Sequence, residues 1–266
     1  MSDSHVPRET EATLVILAKR SSSISDLLTS EARVGGHELV AEGIHVIHDK
    51  YFDAPDGALS ARGYALRLRD SDGRLLVALK GGGERAGQFA TARLEIEGPW
   101  SQETLHAIAH ELQKQGILPF QLPAYQDMTR PVEALRGLGL RSLQNRDTRR
   151  QVFAVLAEGT RMKIAEIAVD SVTYHISRID VVHHELEVEA KNQQGVVELD
   201  RLIQALLKRF PGALRPWKHG KLATGISLAE VLKTSERQML LRKDNSVSAM
   251  AYNLIDRHLR ARSPKL

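Results

Sequence analysis

The sequence YALRLRDSDGRLLVALK, residues 64–80, consists of two alternating runs of polar and apolar side chains joined at Asp72-Gly73. An Asp-Gly pair between two such runs is a strong signal for a β-hairpin turn. Because successive side chains on a strand point to opposite faces, Arg67 and Arg69 share one face and the leucines beside them occupy the other. The stretch therefore predicts an antiparallel hairpin with one basic face.

Same-face charged side chains recur in other predicted strands. They form the sets Glu9 and Glu11 with Thr13; Arg93 with Glu95 and Glu97; Glu166 with Asp170; and Glu185, Glu187 and Glu189. One polar face is usual in an antiparallel sheet with a side in water, but water does not require charges to be sorted by sign. We therefore expect a sheet that closes into a barrel, with charged faces inward and Leu, Ile and Val faces outward against helices.

A charged barrel interior restricts the ligands that it suits. Buried charges are costly unless they are hydrated or bound to ions. Clustered carboxylates suit hard, oxygen-seeking cations such as Mg²⁺ or Mn²⁺, and clustered Arg and Lys side chains suit phosphate oxygens. Together, the two kinds of cluster indicate a polyphosphate that chelates a divalent metal.

The composition excludes several classes of protein. The chain has 266 residues, 42% hydrophobic and 26% charged, which suits one large β domain or a domain with an appendage. The lack of cysteine excludes disulfides, thiolate zinc sites and thiol nucleophiles. A net charge of +4 and 5% aromatic residues argue against a nucleic-acid partner. Without a bilayer-length apolar run or a secretory signal, we expect a cytoplasmic protein that does not bind membranes.

Helix and turn signals predict the elements between the charged strands. Helices are expected at residues 24–34, after a cap at Ser101, at residues 196–210, and in two segments from residue 227 onward. Further strands are expected at residues 149–157, 162–170 and 171–177. The glycines at 81–83 predict a flexible loop, because the Gly-Lys-Ser/Thr ending of a P-loop is missing. Residues 116–141, rich in Pro and Gly, are expected to connect two halves.

These motifs occur in the order and spacing of a known family. Besides the charged sets above, YFDAPD at residues 51–56 resembles the family's YYDTPD-like segment, and Arg150-x-x-Phe153 its Arg-x-x-aromatic strand. On these residues the chain resembles the CYTH domains, or triphosphate tunnel metalloenzymes. The resemblance covers residues 8–225. The chain has Thr13 where the family has Lys, and Trp217 in place of Ser in a closing Ser-Lys element.

The resemblance implies a fold and an activity. The implied fold is α+β: an eight-stranded antiparallel barrel, or tunnel, with a charged interior, helices packed outside and a C-terminal helical tail. It places a triphosphate tunnel domain at residues 1–225 and a helical extension at 226–266. Independently of the resemblance, the pattern of the extension predicts an amphipathic helix that packs on the domain or on another copy, which would give a homodimer. The implied activity is that of a triphosphatase, which hydrolyses inorganic triphosphate or an organic triphosphate and uses Mg²⁺ or Mn²⁺ as its cofactor.

The resemblance also assigns roles to individual side chains. The implied metal ligands are Glu9, Glu11, Glu187 and Glu189, with Glu95, Glu97 and Asp170 as further candidates. The implied catalytic residues are Glu185, Glu187 and Lys80. The implied phosphate-binding residues are Arg67, Arg69, Lys80, Arg93, Arg150, Lys218 and Lys221.

Several alternatives stay open at this point. A class IV-type adenylate cyclase is a second reading, and a noncatalytic polyphosphate-binding module is a third, because Thr13 brings no positive charge. Asp53 and Asp170 suit either hydrogen-bond support or function. His183 and His184 fall on opposite strand faces, so the sequence predicts surface histidines rather than a metal site.

Overall fold

The computed structural model describes residues 8–17, 22–117, 127–234 and 237–262. The strands are β1 (Arg8–Ile16), β2 (Arg33–Val34), β3 (His37–Asp53), β4 (Ala65–Ser71), β5 (Arg74–Arg85), β6 (Thr91–Pro99), β7 (Arg141–Leu156), β8 (Lys163–Ile176), β9 (Ile179–Ala190) and β10 (Leu214–Trp217). The helices are α1 (Ser22–Glu31), α2 (Ala58–Ala61), α3 (Gln102–Lys114), α4 (Pro131–Gly137), α5 (Gln193–Arg209), α6 (Lys221–Thr234), α7 (Arg237–Leu240) and α8 (Ala249–Arg262).

The strands form one sheet that closes on itself. Their order is β10-β1-β6-β5-β4-β3-β7-β8-β9, and β1 also pairs with β9. The closed ring therefore has eight antiparallel strands, while β10 pairs with β1 and β2 with β3 outside it. The predicted α+β fold with an eight-stranded antiparallel barrel is confirmed. None of the helices in the described ranges has the length and apolar character needed to cross a membrane.

The predicted hairpin is present as β4 and β5. Ser71 lies opposite Arg74 across a two-residue turn, and Asp72 and Gly73 have positive φ angles of 52° and 80°. Positive φ at both central residues is the property of the tight hairpin turn that matches strand twist. The carboxylate of Asp70 accepts a hydrogen bond from the backbone N–H of Gly73 at 2.9 Å, which further fixes the turn.

The chain divides into two compact units, each with its own core. The first unit contains Ile47–Arg85, the described part of Thr91–Asn145 and the first residues of β1. The second contains Ala86–Ala90 and the described parts of Thr10–Val46 and of the chain from Arg146 onward. In the first unit, apolar side chains of β4 and β5 pack against α3. In the second unit, one cluster surrounds α5 and another surrounds α6 and α8.

Two predicted features of the first unit are confirmed in detail. The side chain of Ser101 accepts a hydrogen bond from the N–H of Thr104 and caps α3, as expected for Ser at this position. The apolar positions of α3 with helical spacing are all buried: Leu105, Ile108, Ala109 and Leu112. The expected face of α3 therefore supplies its contact with the sheet.

Several predicted boundaries were wrong. β8 is one continuous strand where two were expected, and β7 begins at Arg141, before the predicted start. The glycines at 81–83 do not open a loop, because β5 continues to Arg85 through an irregularity between Gly81 and Glu84. Helix α1 ends at Glu31, since Ala32 adopts a positive φ of 51° and β2 follows.

The expectation that apolar faces point only toward outer helices also needs correction in the second unit. Val15 follows Glu11 and Thr13 on one face of β1, and Val172 and Tyr174 follow Asp170 on one face of β8. These three apolar side chains are buried in the cluster formed with α6 and α8. The charged face of these strands therefore continues as an apolar face, which the C-terminal helices cover.

Candidate functional site

The predicted charged side chains form two groups, one in each compact unit. The hairpin group, in the first unit, comprises Arg67, Arg69 and Lys80 with the carboxylates of Glu9, Asp49, Glu95 and Glu97. The carboxylate group, in the second unit, comprises Asp170, Glu185 and Glu187 with the cations Arg150 and Lys221.

Strand register builds the hairpin group around Arg67. Arg67 on β4 lies opposite Ala78 on β5, and Ala78 lies opposite Glu97 on β6. The small side chain between them lets Arg67 Nη2 reach across to Glu97 Oε2 at 2.8 Å, with Glu95 Oε1 at 3.5 Å. The side chain of Arg67 is only 8% exposed. A buried guanidinium is thus held by carboxylates from β6, which lies on the far side of β5.

The other two cations of the hairpin group have their own carboxylates. The guanidinium of Arg69 donates two hydrogen bonds to Asp49, from Nε to Oδ1 at 2.7 Å and from Nη2 to Oδ2 at 3.0 Å. The ammonium of Lys80 lies 2.5 Å from Glu9 Oε2 and 3.1 Å from Glu95 Oε1. Each cation of the hairpin group is therefore neutralised within the group and oriented by its partner.

The protonation of the hairpin group follows from burial and these pairs. Burial alone would lower the pKa of Arg67, but nearby Tyr51 and the carboxylates raise it well above the ordinary value. Burial would raise the pKa of Glu97, but the charge and hydrogen bond of Arg67 lower it overall. Burial raises the pKa of Glu9 even though the charge of Lys80 opposes the change.

The carboxylate group is built on a row across three strands. Arg150 on β7 lies opposite Asp170 on β8, and Asp170 lies opposite Glu185 on β9. The guanidinium of Arg150 donates to both oxygens of Asp170, at 2.9 and 2.7 Å, and to Glu187 Oε2 at 2.5 Å. Among the described residues, Asp170, Glu185 and Glu187 are the one trio with carboxylate oxygens within 4.8 Å of one another.

Lys221, the first residue of α6, adds its ammonium to this trio. Its Nζ lies 2.6 Å from Glu187 Oε1 and 3.1 Å from Asp170 Oδ2, and it also forms an ion pair with Glu185. Burial would raise the pKa of Asp170, but the charges of Arg150 and Lys221 lower it. Asp170 is therefore ionised, and the trio shares the two cations Arg150 and Lys221.

A buried chain of hydrogen bonds connects Glu185 to α8. His183 Nε2 lies 2.7 Å from Glu185 Oε2, and His183 Nδ1 lies 2.8 Å from the hydroxyl of Tyr252 on α8. His183 and Glu185 are fully buried. The prediction that His183 is a surface histidine was wrong, because α8 covers this end of β9. Burial together with the charge of His183 lowers the pKa of His184, on the opposite face, to about 4.

The sequence of this chain matches a known protein family. The sequence model of the CYTH domain family matches residues 26–210. The chain belongs to the CYTH domain family. Comparison with curated protein sequences gives no match. Among solved structures, the domain is similar to HpAC1 from Hippeastrum, described as a candidate adenylyl cyclase with a dominant triphosphatase activity, at 19% identity and a TM-score of 0.53, covering 82% of this chain and 95% of that one.

Two further solved structures are similar to this CYTH domain. One, described as a candidate adenylate cyclase from Bacillus halodurans, has 17% identity and a TM-score of 0.43, with 80% of this chain and 95% of that chain covered. The other, the PH1819 protein from Pyrococcus horikoshii OT3, has 17% identity and a TM-score of 0.43, with 85% of this chain and 99% of that chain covered. At these identities, the comparison with solved structures describes the fold alone.

The remaining predicted site residues of the CYTH domain lie in different settings. Glu11 is buried and lies opposite Glu189 in the β1–β9 pairing, and Glu189 in turn lies opposite Glu166 on β8. Lys191 contacts Glu189 at 2.6 Å. Thr13 lies opposite Glu187 on β9. Their proposed metal and phosphate roles stay predictions.

Three other residues complete the account of the predicted site. Arg93 is half-buried on β6. Lys218 is exposed, whereas Lys221, three residues later, places its ammonium in the carboxylate group. Asp53 accepts hydrogen bonds from the N–H groups of Leu59 and Ser60 and from the Ser60 hydroxyl. Asp53 therefore fixes the turn into α2, which answers the open question about this residue in favour of structural support.

The donors of the carboxylate group suit the metal that the family implies. Asp170, Glu185 and Glu187 offer several carboxylate oxygens from one small region, and Mg²⁺ and Mn²⁺ prefer such hard oxygen donors. The group contains no thiolate, and the nearby His183 is hydrogen-bonded to Glu185. The residues therefore fit a hard divalent cation.

Proposed function

We propose that this CYTH domain hydrolyses a triphosphate, inorganic or organic, in a reaction that depends on Mg²⁺ or Mn²⁺ and takes place within the charged barrel. The observation that carries the proposal is the trio of Asp170, Glu185 and Glu187 around Lys221 and Arg150. Carboxylates gathered beside buried cations suit a ligand that combines a metal with phosphates. The triphosphatase activity described for HpAC1, whose fold is similar, supports the same proposal.

The proposed roles follow from the partners of each side chain. Glu187 and Asp170, with Glu185 beside them, would hold the metal, and Glu9, Glu11 and Glu189 stay candidates for the same role. Arg67, Arg69 and Lys80 in the first unit, and Arg150 and Lys221 in the second, would bind phosphate oxygens. Arg93 and Lys218 are further candidates on the family pattern. The guanidinium groups suit this task because their planar fork matches two phosphate oxygens.

Catalysis in this proposal is positional and electrostatic. Phosphoryl transfer spreads negative charge over the transferred group, so fixed cations that meet this charge lower the barrier. Arg150, held by two hydrogen bonds to buried Asp170, is already oriented for this purpose. A bound divalent cation would act as a Lewis acid on the phosphate oxygens. Glu185 and Glu187 are the candidates to orient the attacking water.

The test is an assay with three substrates. Inorganic triphosphate, ATP and thiamine triphosphate are each incubated with the protein and Mg²⁺ or Mn²⁺, with and without a chelator, and both phosphate and cyclic AMP are measured. The proposal expects phosphate release that the chelator abolishes, with no cyclic AMP. Cyclic AMP from ATP would instead support a cyclase. Calorimetric binding of triphosphate with no product from any substrate would support a binding module.

A further inference from the structure

Lys221 occupies the centre of the carboxylate group. Its ammonium contacts one oxygen from each of Asp170, Glu185 and Glu187, and its side chain is 9% exposed. Burial alone would lower the pKa of this amine, but the three carboxylates raise it above the ordinary value. Lys221 is therefore charged at neutral pH. Its ammonium occupies the space between the carboxylate oxygens in which a metal ion would bind.

The charge of the group opposes simple addition of a divalent cation. Three carboxylates and the two cations Arg150 and Lys221 leave a net charge of −1, which one divalent cation would change to +1. The added cation would also lie beside the ammonium of Lys221, and like charges repel strongly in a buried site. An anion that draws Lys221 away removes both obstacles.

The structure permits the ammonium of Lys221 to move while its backbone stays in place. The carbonyl oxygen of Lys221 accepts a hydrogen bond from the hydroxyl of Tyr174 at 2.8 Å, which fixes the start of α6. The lysine side chain is a flexible four-carbon stem with a compact charge at its end. Arg150, by contrast, is held to Asp170 by two hydrogen bonds. Movement of the Lys221 ammonium therefore requires only rotation about this stem, whereas movement of Arg150 would break both of its hydrogen bonds to Asp170.

We propose that Lys221 is an exchangeable internal counterion that makes metal and phosphate bind cooperatively. Without ligand, its ammonium neutralises the trio; when a polyphosphate binds, the ammonium moves to the phosphate oxygens and the carboxylates become available to Mg²⁺ or Mn²⁺. By linkage, metal and polyphosphate then raise each other's affinity by the same factor. The identity of the anion rests on the proposed function, but the exchange does not require hydrolysis.

The experiment is a calorimetric titration of Mn²⁺ into the whole chain, with and without the hydrolysis-resistant analogue imidotriphosphate. For the wild type, we expect the analogue to strengthen Mn²⁺ binding by about fivefold or more, the lower end of usual coupling between sites. Lys221→Met should bind Mn²⁺ alone about fivefold more tightly than the wild type and should lose most of the coupling. Lys221→Gln serves for the same comparison if the Met variant does not fold.

Lys233→Met is the matched control. Lys233 lies on α6, the same helix as Lys221, and pairs with Glu230, outside the carboxylate group. Its removal should leave both Mn²⁺ affinity and coupling as in the wild type. Two results would overturn the inference: Mn²⁺ binding to Lys221→Met that is no tighter than to the wild type, or wild-type affinity for Mn²⁺ that is the same with and without imidotriphosphate.

The same measurements separate this inference from the proposed function. If no substrate is hydrolysed but Lys221→Met tightens Mn²⁺ binding and abolishes coupling, the counterion exchange stands and the triphosphatase proposal fails. If triphosphate is hydrolysed but Lys221→Met leaves Mn²⁺ affinity unchanged, the triphosphatase proposal stands and the exchange fails.

Discussion

The hairpin group and the carboxylate group arise from the same sequence pattern but neutralise their charges differently. In the hairpin group, Arg69 has its own buried carboxylate in Asp49, and Arg67 donates at short range to Glu97. In the carboxylate group, three carboxylates converge on the single ammonium of Lys221. The carboxylates that pair with these cations also differ in exposure. The side chain of Glu97, which pairs with Arg67, is 32% exposed, and that of Glu185, which pairs with Lys221, is fully buried.

The difference shows how one pattern serves two kinds of ligand. A cation paired with a partly exposed carboxylate can exchange that partner for a phosphate oxygen at modest cost. Three carboxylates that share two cations, with Asp170 and Glu185 fully buried, are an expensive arrangement, which a divalent cation with hard oxygen preferences relieves. We therefore expect the hairpin group, through Arg67, to bind phosphate and the carboxylate group to bind the metal.

Matched substitutions of one glutamate in each group give the largest expected effect. Glu187→Gln should lower kcat/KM for triphosphate by about 100-fold or more, the usual loss when a preorganised electrostatic group is removed. It should also raise the Mg²⁺ concentration needed for half-maximal rate. Glu97→Gln should cost about tenfold or less and leave the Mg²⁺ requirement unchanged, because Glu97 pairs with Arg67 and lies outside the trio proposed to hold the metal. Steady-state kinetics over a range of Mg²⁺ concentrations measures both.

Exposed Glu158, replaced by Gln, is the control for both variants, since its side chain is 79% exposed in the same unit as Glu187. Equal losses in Glu187→Gln and Glu97→Gln, with the same change in Mg²⁺ requirement, would remove the distinction between the two groups.

The next effect concerns the cations of the hairpin group. Arg67→Ala or Arg69→Ala should weaken binding of imidotriphosphate by roughly 1.5–3 kcal/mol, the usual contribution of a hydrogen bond to a charged group. Arg67→Lys should restore only part of the affinity, because an ammonium lacks the guanidinium fork. Arg74→Ala, at the exposed turn of the same hairpin, is the control. Calorimetry that shows unchanged affinity in both alanine variants would assign these arginines a structural role only.

The sequence contained enough information to predict the barrel and most members of both groups, although it did not single out Asp49 as the partner of Arg69. Alternation fixed which side chains share a face, and the Asp-Gly turn fixed the register that places Arg67 opposite Ala78. These are local properties, with a period of two residues and a turn of known geometry. The hairpin and its basic face, which depend on them alone, were confirmed.

The parts that sequence could not supply depend on long-range packing. The hydrogen bond between His183 and Tyr252 joins residues 69 positions apart, and no local pattern marks a histidine that a distant helix will cover. The role of Asp53 as the acceptor for α2 depends on the turn that follows it. The start of α6 at Lys221 likewise decides that this lysine, and not exposed Lys218, reaches the carboxylates.

A smaller effect is expected from Thr13→Lys, which adds the charge that the family carries at this position. Thr13 lies directly opposite Glu187, so a lysine here would bring a third cation to a carboxylate already bound by Arg150 and Lys221. We expect kcat/KM for inorganic triphosphate to rise by roughly tenfold, equivalent to about 1.4 kcal/mol in the transition state. Thr10→Lys, on the other face of the same strand, is the control. A normally folded variant with no gain would mean that Lys221 already fills the role.

The smallest effect is a difference in the pH dependence of stability between a glutamate of each unit. The ordinary pKa of a glutamate, 4.5, is the reference for both Glu9 and Glu166. Burial raises the pKa of Glu9. Burial would also raise the pKa of Glu166, but hydrogen bonding to Lys163 and the charge of Lys191 lower it. The folded first unit therefore favours protonation of its glutamate, and the folded second unit opposes it.

The signs of the two effects follow from linkage. The raised pKa of Glu9 favours folding fully below pH 4.5, and this contribution is lost as the pH rises through the folded value. The lowered pKa of Glu166 favours folding above pH 4.5 and is lost as the pH falls through the folded value. At pH 7, Glu9→Gln should therefore raise Tm and Glu166→Gln should lower it, by about 2–4 °C for each kcal/mol. Calorimetry at pH 7, 5 and 3.5 should show that the difference in Tm between each variant and the wild type shrinks toward zero in acid. Tm changes of the same sign at pH 7 would contradict the opposite environments inferred for the two glutamates.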